Sequence, residues 1–306
     1  PSRDSISRRN ASRSAPSEAD REAFRPEIES LELGVRALKK DPRLTLAFKL
    51  MNRVFVESGK RTGISSWRLF QIVQIARLLP SLAAREYDDP EFEDQLNNAD
   101  ILWFPTGGGK TEAYLGLIVC ALFYDRLRGK SRGTTAWLRF PLRMLSKQQL
   151  DRLARVLAHA EIVRRSCPEL SEAQRGDMFS MGYFVGSGNT PNYVSTQQME
   201  VYQKSPERLR EDAMVLQRCP FCGQPVEMRV NTKAWRLEHC CTNSDCFAVT
   251  ELNGTLPIFV TDSEVYRYLP SVLCGTVDKL AILGRSGEFG HFFGQVQGYC
   301  PDHGYF

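Results

Sequence analysis

The chain has 306 residues, of which 42% are hydrophobic, and a formal net charge of +4 at pH 7. This length can bury one large core or two modest ones. Its apolar runs are shorter than the ~20 residues of a membrane span, and the polar N-terminus lacks the apolar segment of a secretory signal. We therefore expect a soluble, cytoplasmic protein. The near balance of 40 basic and 36 acidic residues gives no general affinity for nucleic acid, so any such surface must be local.

The first 90 residues divide into two segments of different composition. Residues 1–25 are rich in Ser, Arg, Ala and Glu and contain almost no large apolar residues, which predicts a flexible lead-in. Apolar residues then recur at helical spacing over 26–82, and the acidic stretch 85–98 has the composition of a loop. We expect a helical N-terminal extension over 26–90.

The stretch 99–112 predicts a phosphate-binding loop. It has an apolar lead-in typical of a strand, then Pro-Thr-Gly-Gly-Gly-Lys-Thr, then a helical pattern. The consecutive glycines let backbone N–H groups face phosphate, and the helix N-terminus favours an anion. Lys110 would reach the β- and γ-phosphates, and the Thr111 hydroxyl would bind Mg²⁺; we predict these two residues as catalytic. The predicted nucleotide contacts in this loop are Thr106, Gly107, Gly108, Gly109, Lys110, Thr111 and Glu112.

The loop departs from the general pattern G-x-x-x-x-G-K-[ST] at one position. Phe104 stands where the first glycine belongs. Superfamily 2 helicases often begin this loop with another residue and a Pro-Thr-Gly core, so the departure favours that group. A glycine-rich turn with an accidental Lys-Thr pair is the alternative.

Strand and helix patterns alternate after the loop. Strands are predicted over 133–140, 179–185 and 271–275, with a long helix over 145–165. This alternation is typical of an α/β fold whose parallel sheet is covered on both faces and binds ligands at the carboxyl ends of its strands. We expect one such domain over 91–306.

Two cysteine pairs follow the third strand pattern. The first, Cys-Pro-Phe-Cys-Gly, begins at Cys219 and has the form of a zinc knuckle; the second pair follows at a spacing typical of a zinc ribbon. We predict a zinc-ribbon insertion over 210–257, and we expect metal removal to unfold mainly this segment. Cys240 and His239 are alternatives to Cys241, and four reduced thiols without metal are the alternative to the site itself. The predicted Zn²⁺ ligands are Cys219, Cys222, Cys241 and Cys246.

The ribbon can have one of two roles, which the sequence leaves open: it can stabilise the insertion or contact nucleic acid or a partner. Near the end of the chain, Cys300-Pro-Asp-His303-Gly304 has the form of half of another metal site. A plain loop is the alternative there.

Taken in order, these blocks resemble the N-terminal half of the large superfamily 2 helicase of the DISARM antiphage system. The resemblance covers most of residues 45–300. It rests on residues 67–79 with Phe70-Gln71, the phosphate-binding loop, the block 138–149, Val185-Gly186 with Thr190-Pro191-Asn192, the cysteine ribbon and the segment 275–279.

The resemblance implies a RecA-like parallel sheet with helices on both faces. It implies ATP and Mg²⁺ as cofactors, with Gln71 as a further nucleotide contact, and single-stranded or duplex DNA held at the strand ends. The implied nucleic-acid contacts are Pro141, Arg143, Gln148, Gly186, Thr190, Thr276 and Lys279.

By the same resemblance, the function is the ATP-binding half of an ATP-dependent DNA helicase or translocase in prokaryotic defence, acting with a partner subunit. The sequence contains no Asp-Glu-x-His motif to hold Mg²⁺ and no second RecA-like domain. We therefore expect a fragment that binds ATP but hydrolyses it poorly alone. A non-catalytic module that docks nucleic acid or a partner protein through the ribbon is the alternative.

Overall fold

A computed structural model of the chain describes residues 17–62, 66–102, 107, 109–141, 143–186, 188, 190–279, 281 and 286–306, without the side chains at 60–62 and 143–148. Two predicted nucleotide contacts, Thr106 and Gly108, lie outside the described residues. The side chains of Arg143 and Gln148 also lie outside them. None of the described helices is long and apolar enough to cross a membrane.

The N-terminal part contains three long helices: α1 (Glu18–Lys40), α2 (Pro42–Thr62) and α3 (Leu69–Ala83). Helix α1 begins inside the segment predicted as a flexible lead-in, so residues 18–25 are helical instead. The reason is a capping box. The Ser17 hydroxyl accepts from the Asp20 N–H at 3.1 Å, and the Asp20 carboxylate accepts from the Ser17 N–H at 3.0 Å.

Helix α1 lies directly against α3 because of a glycine. A Cβ built at Gly34 would be only 2.0 Å from the carbonyl oxygen of Ala76. Leu33 and Ala37 are buried at the same contact. Beyond α3, the stretch predicted as an acidic loop contains short helical turns instead: 3₁₀ turns Ala84–Glu86 and Asp94–Leu96 and helix α4 (Pro90–Glu93).

Helix α5 (Lys110–Leu127) is the central helix of the described structure. It is buried almost all round from Ala113 onward and packs against α2, α3 and α6 (Arg143–Ser166). The strand predicted to lead into the glycine turn is not formed over residues 99–102. Ile101 is 84% exposed, and no described strand pairs with this stretch, so it has no ladder partner.

The other predicted strands belong to one sheet. Within the described residues, strands β1, β6, β2 and β5 lie side by side in that order, all parallel, and the remaining strands form two antiparallel hairpins. The strands are β1 (Ala136–Phe140), β2 (Met181–Phe184), β3 (Val226–Asn231), β4 (Arg236–Cys241), β5 (Ile258–Phe259), β6 (Val272–Thr276), β7 (Tyr299–Cys300) and β8 (Gly304–Tyr305).

Strands β2, β5 and β6 of the parallel sheet are buried on both faces, whereas β1 is half-buried. Val272 and Cys274 of β6 pack into the main core, which α6 also contacts, whereas Leu273 points to a second cluster with Phe184. The second cluster is completed by helix α11 (Asp262–Tyr268) and the 3₁₀ segment Gly287–Phe293. The described residues therefore form a mixed α/β fold with a parallel sheet, as predicted.

The cysteine-rich segment packs on this sheet and shares its core. It contains the β3–β4 hairpin and helix α10 (Phe247–Leu252), and helices α8 (Thr196–Lys204) and α9 (Pro206–Ala213) contact β3. Helix α7 (Glu172–Arg175) contacts α5, and a 3₁₀ turn, Val277–Lys279, follows β6. Its apolar residues Phe221, Val226 and Leu237 belong to the main core cluster. The buried Glu264 carboxylate of α11 also accepts from the N–H of Leu237 in β4, at 2.7 Å.

Candidate functional site

The described part of the glycine turn has a backbone that favours glycine. Gly107 and Gly109 have φ of +79° and +94°, in the left-handed region. Gly109 is the N-cap of α5, so the helix begins at Lys110. Lys110 and Thr111 are half-buried there. A helix N-terminus of this kind offers backbone N–H groups and a partial positive charge to an anion.

Gln71 connects the start of α3 to this turn. Its Nε2 donates to the carbonyl oxygen of Gly109 at 2.8 Å, and its Oε1 accepts from the Arg68 N–H at 2.8 Å. The side chain is only 5% exposed. A Cβ at Gly109 would be 2.8 Å from the Gln71 Nε2. Gln71 therefore fixes the peptide that immediately precedes Lys110.

The first turn of α5 is also tied to α6. The Glu112 carboxylate, predicted as a nucleotide contact, forms an ion pair with Arg152. The Tyr114 hydroxyl donates to Gln149 Oε1 at 2.9 Å. Sequence reasoning missed Arg152 and Gln149, because a polar residue on a long helix carries no signal of its partner on another helix.

Three of the predicted nucleic-acid contacts are buried. Thr276 is 1% exposed, Lys279 2% and Thr190 4%. Lys279 forms an ion pair with Asp262 and lies 4.8 Å from the centre of the Phe184 ring. In this conformation these side chains offer no surface to DNA. The order of the sequence motifs predicted that these residues lie near strand ends, but it could not predict that their side chains are buried.

Two other predicted nucleic-acid contacts are accessible. Pro141, immediately after β1, is exposed, and Gly186, soon after β2, is half-buried. Because β1 and β2 are parallel, both residues follow carboxyl ends of strands on the same edge of the sheet.

The four predicted metal ligands come together. The Sγ atoms of Cys219, Cys222, Cys241 and Cys246 all lie within 4.8 Å of one another. The Cys219–Cys246 and Cys222–Cys241 Sγ distances are 3.7 and 3.5 Å. A tetrahedral zinc ion with Zn–S bonds of ~2.3 Å requires Sγ atoms about 3.8 Å apart. The four cysteines can therefore hold Zn²⁺ with little movement.

The surroundings of these thiols differ. Burial opposes ionisation of Cys222, but hydrogen bonds from the Gln224 backbone and the neighbouring thiols outweigh it and lower its pKa to about 7. Burial raises the pKa of Cys246 to about 11 and also raises that of Cys219. Cys222 therefore forms the thiolate that a metal needs more readily than Cys219 or Cys246 does.

The two alternatives to Cys241 have other surroundings. Cys240 Sγ lies outside the group of four and is 3.9 Å from the carbonyl oxygen of Glu238. His239 is completely buried, which lowers its pKa to about 3, and its Nε2 accepts from the backbone N–H groups of Val215 and Leu216 at 3.1 and 3.4 Å. The structure thus places the thiol of Cys241, and not Cys240 or His239, beside the other three cysteines.

The chain is similar in sequence to DISARM protein DrmA of Bacillus paralicheniformis. The two are 30% identical in an alignment 304 residues long. This alignment covers 88% of this chain and 26% of the relative. The chain is thus related to a DISARM protein over most of its own length and spans about a quarter of that protein's length. No protein-family model matches the chain.

Proposed function

We propose that this chain is the ATP-binding half of an ATP-dependent DNA helicase or translocase that acts in antiphage defence. The observation that carries the proposal is that Gly107 and Gly109 have positive φ and that Gly109 is the N-cap of helix α5, with Lys110-Thr111 in its first turn. The similarity to a DISARM protein supports the defence role. In a longer protein, a second domain would complete the ATPase.

The residues of the turn would divide the work of binding Mg·ATP. Lys110 would contact the β- and γ-phosphates as a point charge, and the Thr111 hydroxyl would bind Mg²⁺, which neutralises phosphate charge. Gln71 would act as a positioning residue, since its amide holds the carbonyl of Gly109. The ion pair of Glu112 with Arg152 would keep the first turn of α5 against α6.

ATP binding provides the test of this proposal. Titration calorimetry with Mg·ATP should detect binding by the wild-type chain and no binding by Lys110→Ala. Lys204→Ala removes an equally charged side chain from an exposed position on α8 and should bind ATP as the wild type does. Equal affinity in Lys110→Ala and the wild type would refute the proposal.

DNA would bind along the carboxyl edge of the sheet, past Pro141, Gly186 and the start of α6 at Arg143, and a partner subunit would complete the defence complex. Contacts to phosphates are independent of base sequence and weaken with salt. Arg143→Glu should therefore weaken single-strand binding on all sequences, and it should reduce the slope of the salt dependence by about one.

The burial of Thr276 and Lys279 favours a second candidate, a non-catalytic module that docks DNA through the cysteine-rich segment. Lys233, at the tip of the β3–β4 hairpin, has a side chain that is 78% exposed. If Lys233→Glu abolishes single-strand binding while Arg143→Glu leaves it unchanged, this second candidate replaces the first for DNA.

A further inference from the structure

The chain contains a second turn with the sequence form of the cysteine knuckle. Residues 219–223 are Cys-Pro-Phe-Cys-Gly, and residues 300–304 are Cys-Pro-Asp-His-Gly. The two segments differ at the third position, Phe or Asp, and at the fourth, where one metal-binding residue type, cysteine, is replaced by another, histidine. Both end in a glycine of the left-handed region, with φ of +80° for Gly223 and +83° for Gly304.

The two turns also close in a similar way. In the first turn, the Gly223 N–H donates to the carbonyl oxygen of Cys219 at 2.8 Å. In the second turn, Gly304 pairs with Cys300, at the same separation along the chain. The second turn therefore brings its cysteine and its glycine together as the first turn does.

The two side chains of the second turn are already at ligand distance. Cys300 Sγ lies 3.3 Å from His303 Nδ1. A tetrahedral zinc ion with Zn–S of ~2.3 Å and Zn–N of ~2.0 Å would separate these atoms by about 3.5 Å. Cys300 is half-buried and His303 is exposed, so the space in front of the pair is open to solvent.

The position of this turn is held by contacts that do not use the two side chains. Strands β7 and β8 pair Cys300 with Gly304. A Cβ at Gly304 would be 2.2 Å from the carbonyl oxygen of Arg267, so β8 lies directly on α11. The Arg267 guanidinium donates to the carbonyl of His303 at 3.3 Å. The pair is thus presented by a fixed backbone, while the imidazole and thiol remain available.

We propose that Cys300 and His303 form a second metal site, a Cys–His knuckle that holds Zn²⁺ by one thiolate and one imidazole. Thiolate and imidazole are the ligands that zinc and cobalt share. The other two coordination positions are open, so solvent or groups from outside the turn fill them, and this site binds metal more weakly than the site of four cysteines.

Cobalt provides the probe for this site. The chain is first saturated with Zn²⁺ and dialysed, so that the four-cysteine site keeps its metal, and Co²⁺ is then added. We expect saturable binding of Co²⁺ with a thiolate-to-cobalt charge-transfer band in the near ultraviolet. Cys300→Ser should lose the band, and His303→Ala should lose the saturable binding.

Matched variants separate this site from the others. Cys167→Ser removes a buried thiol elsewhere, and His291→Ala removes another imidazole; both should keep the wild-type band. Any band that remains in Cys300→Ser reports displacement of Zn²⁺ from the four cysteines and is subtracted. The proposal is overturned if the wild type shows no additional band, or if Cys300→Ser or His303→Ala binds Co²⁺ as the wild type does. Circular dichroism of each variant verifies that it is folded.

Discussion

At the scale of residues, the metal site distinguishes two adjacent cysteines. Side chains of neighbouring strand residues point to opposite faces. Near the end of β4, the Cys241 thiol is one of the four grouped thiols, whereas the Cys240 thiol points away from them. The spacing of the cysteines predicted the site because two ligand pairs with a tight turn are sufficient to define it. It left the choice between Cys240 and Cys241 open, because that choice depends on the register of β4.

We therefore expect different results from the same substitution at neighbouring positions. Cys241→Ser should lose bound zinc and unfold at a lower temperature, because a structural zinc site contributes directly to the free energy of folding. Cys240→Ser should retain zinc. Metal analysis and thermal unfolding of the two variants check this. Retention of zinc by Cys241→Ser, with loss in Cys240→Ser, would contradict the assignment.

The side-chain amide of Gln71 is the second feature at the scale of residues. The sequence pointed to this residue, but not to the atom that its side chain contacts. The resemblance implied a nucleotide contact, whereas the structure joins its Nε2 to the Gly109 carbonyl. Gln71→Ala should weaken ATP binding by about tenfold, since one buried hydrogen bond contributes ~1 kcal/mol or more.

Gln74→Ala serves as the control for Gln71→Ala. Gln74 is similarly buried on α3, and its side chain accepts from Arg77, not from the glycine turn. Calorimetric titration with Mg·ATP should give wild-type affinity for Gln74→Ala. An equal loss of affinity in both variants would mean that α3 as a whole, and not this hydrogen bond, supports the site.

At the scale of elements, the sequence predicted the strands of the sheet more accurately than the chain that precedes the glycine turn. β2 and β6 contain buried apolar residues and β1 contains half-buried ones, and their pattern is visible in the sequence. Residues 99–102 share this pattern but remain without a described strand partner. Helix α1 begins before its apolar residues do, because capping by Ser17 and Asp20 needs no core contact.

The contact between α1 and α3 predicts the sign of the stability change that Gly34→Ala causes. On an exposed helix surface, Gly→Ala stabilises by about 1 kcal/mol. Gly34→Ala should instead destabilise by about 1–3 kcal/mol, because the added methyl would overlap the Ala76 carbonyl and push the helices apart. The exposed neighbour provides the control, since Val35→Ala should change stability little. Urea unfolding measures both, and a more stable Gly34→Ala would show that the helices are not in this contact.

At the scale of the whole molecule, the cysteine-rich segment is part of the main core. The sequence predicted a separate insertion because its ligand spacing resembles that of small independent zinc modules. In the structure, the Trp235 Nε1 donates to the carbonyl oxygen of Val194 at 2.9 Å, and Glu264 of α11 accepts from β4. These contacts cannot be predicted from spacing, because they join residues distant in the chain.

Removal of zinc should therefore loosen more than the segment 210–257. After chelation, limited proteolysis should cut within the β3–β4 hairpin and also near β5 and α11, which share backbone and side-chain contacts with β4. Added zinc should restore resistance. Cuts confined to 210–257 would instead support the independent module that the sequence predicts.

The central claim is that ATP binds at the glycine turn, and amide hydrogen exchange with and without Mg·ATP tests it most directly in the wild-type chain. ATP should slow exchange in peptides that contain residues 107–113, and to a lesser degree at the start of α3, where Gln71 holds the Gly109 carbonyl. Exchange in the β3–β4 and β7–β8 hairpins should not change. If ATP slows exchange only outside the glycine turn, or nowhere at concentrations that saturate binding, the account of this chain as a nucleotide-binding domain is contradicted.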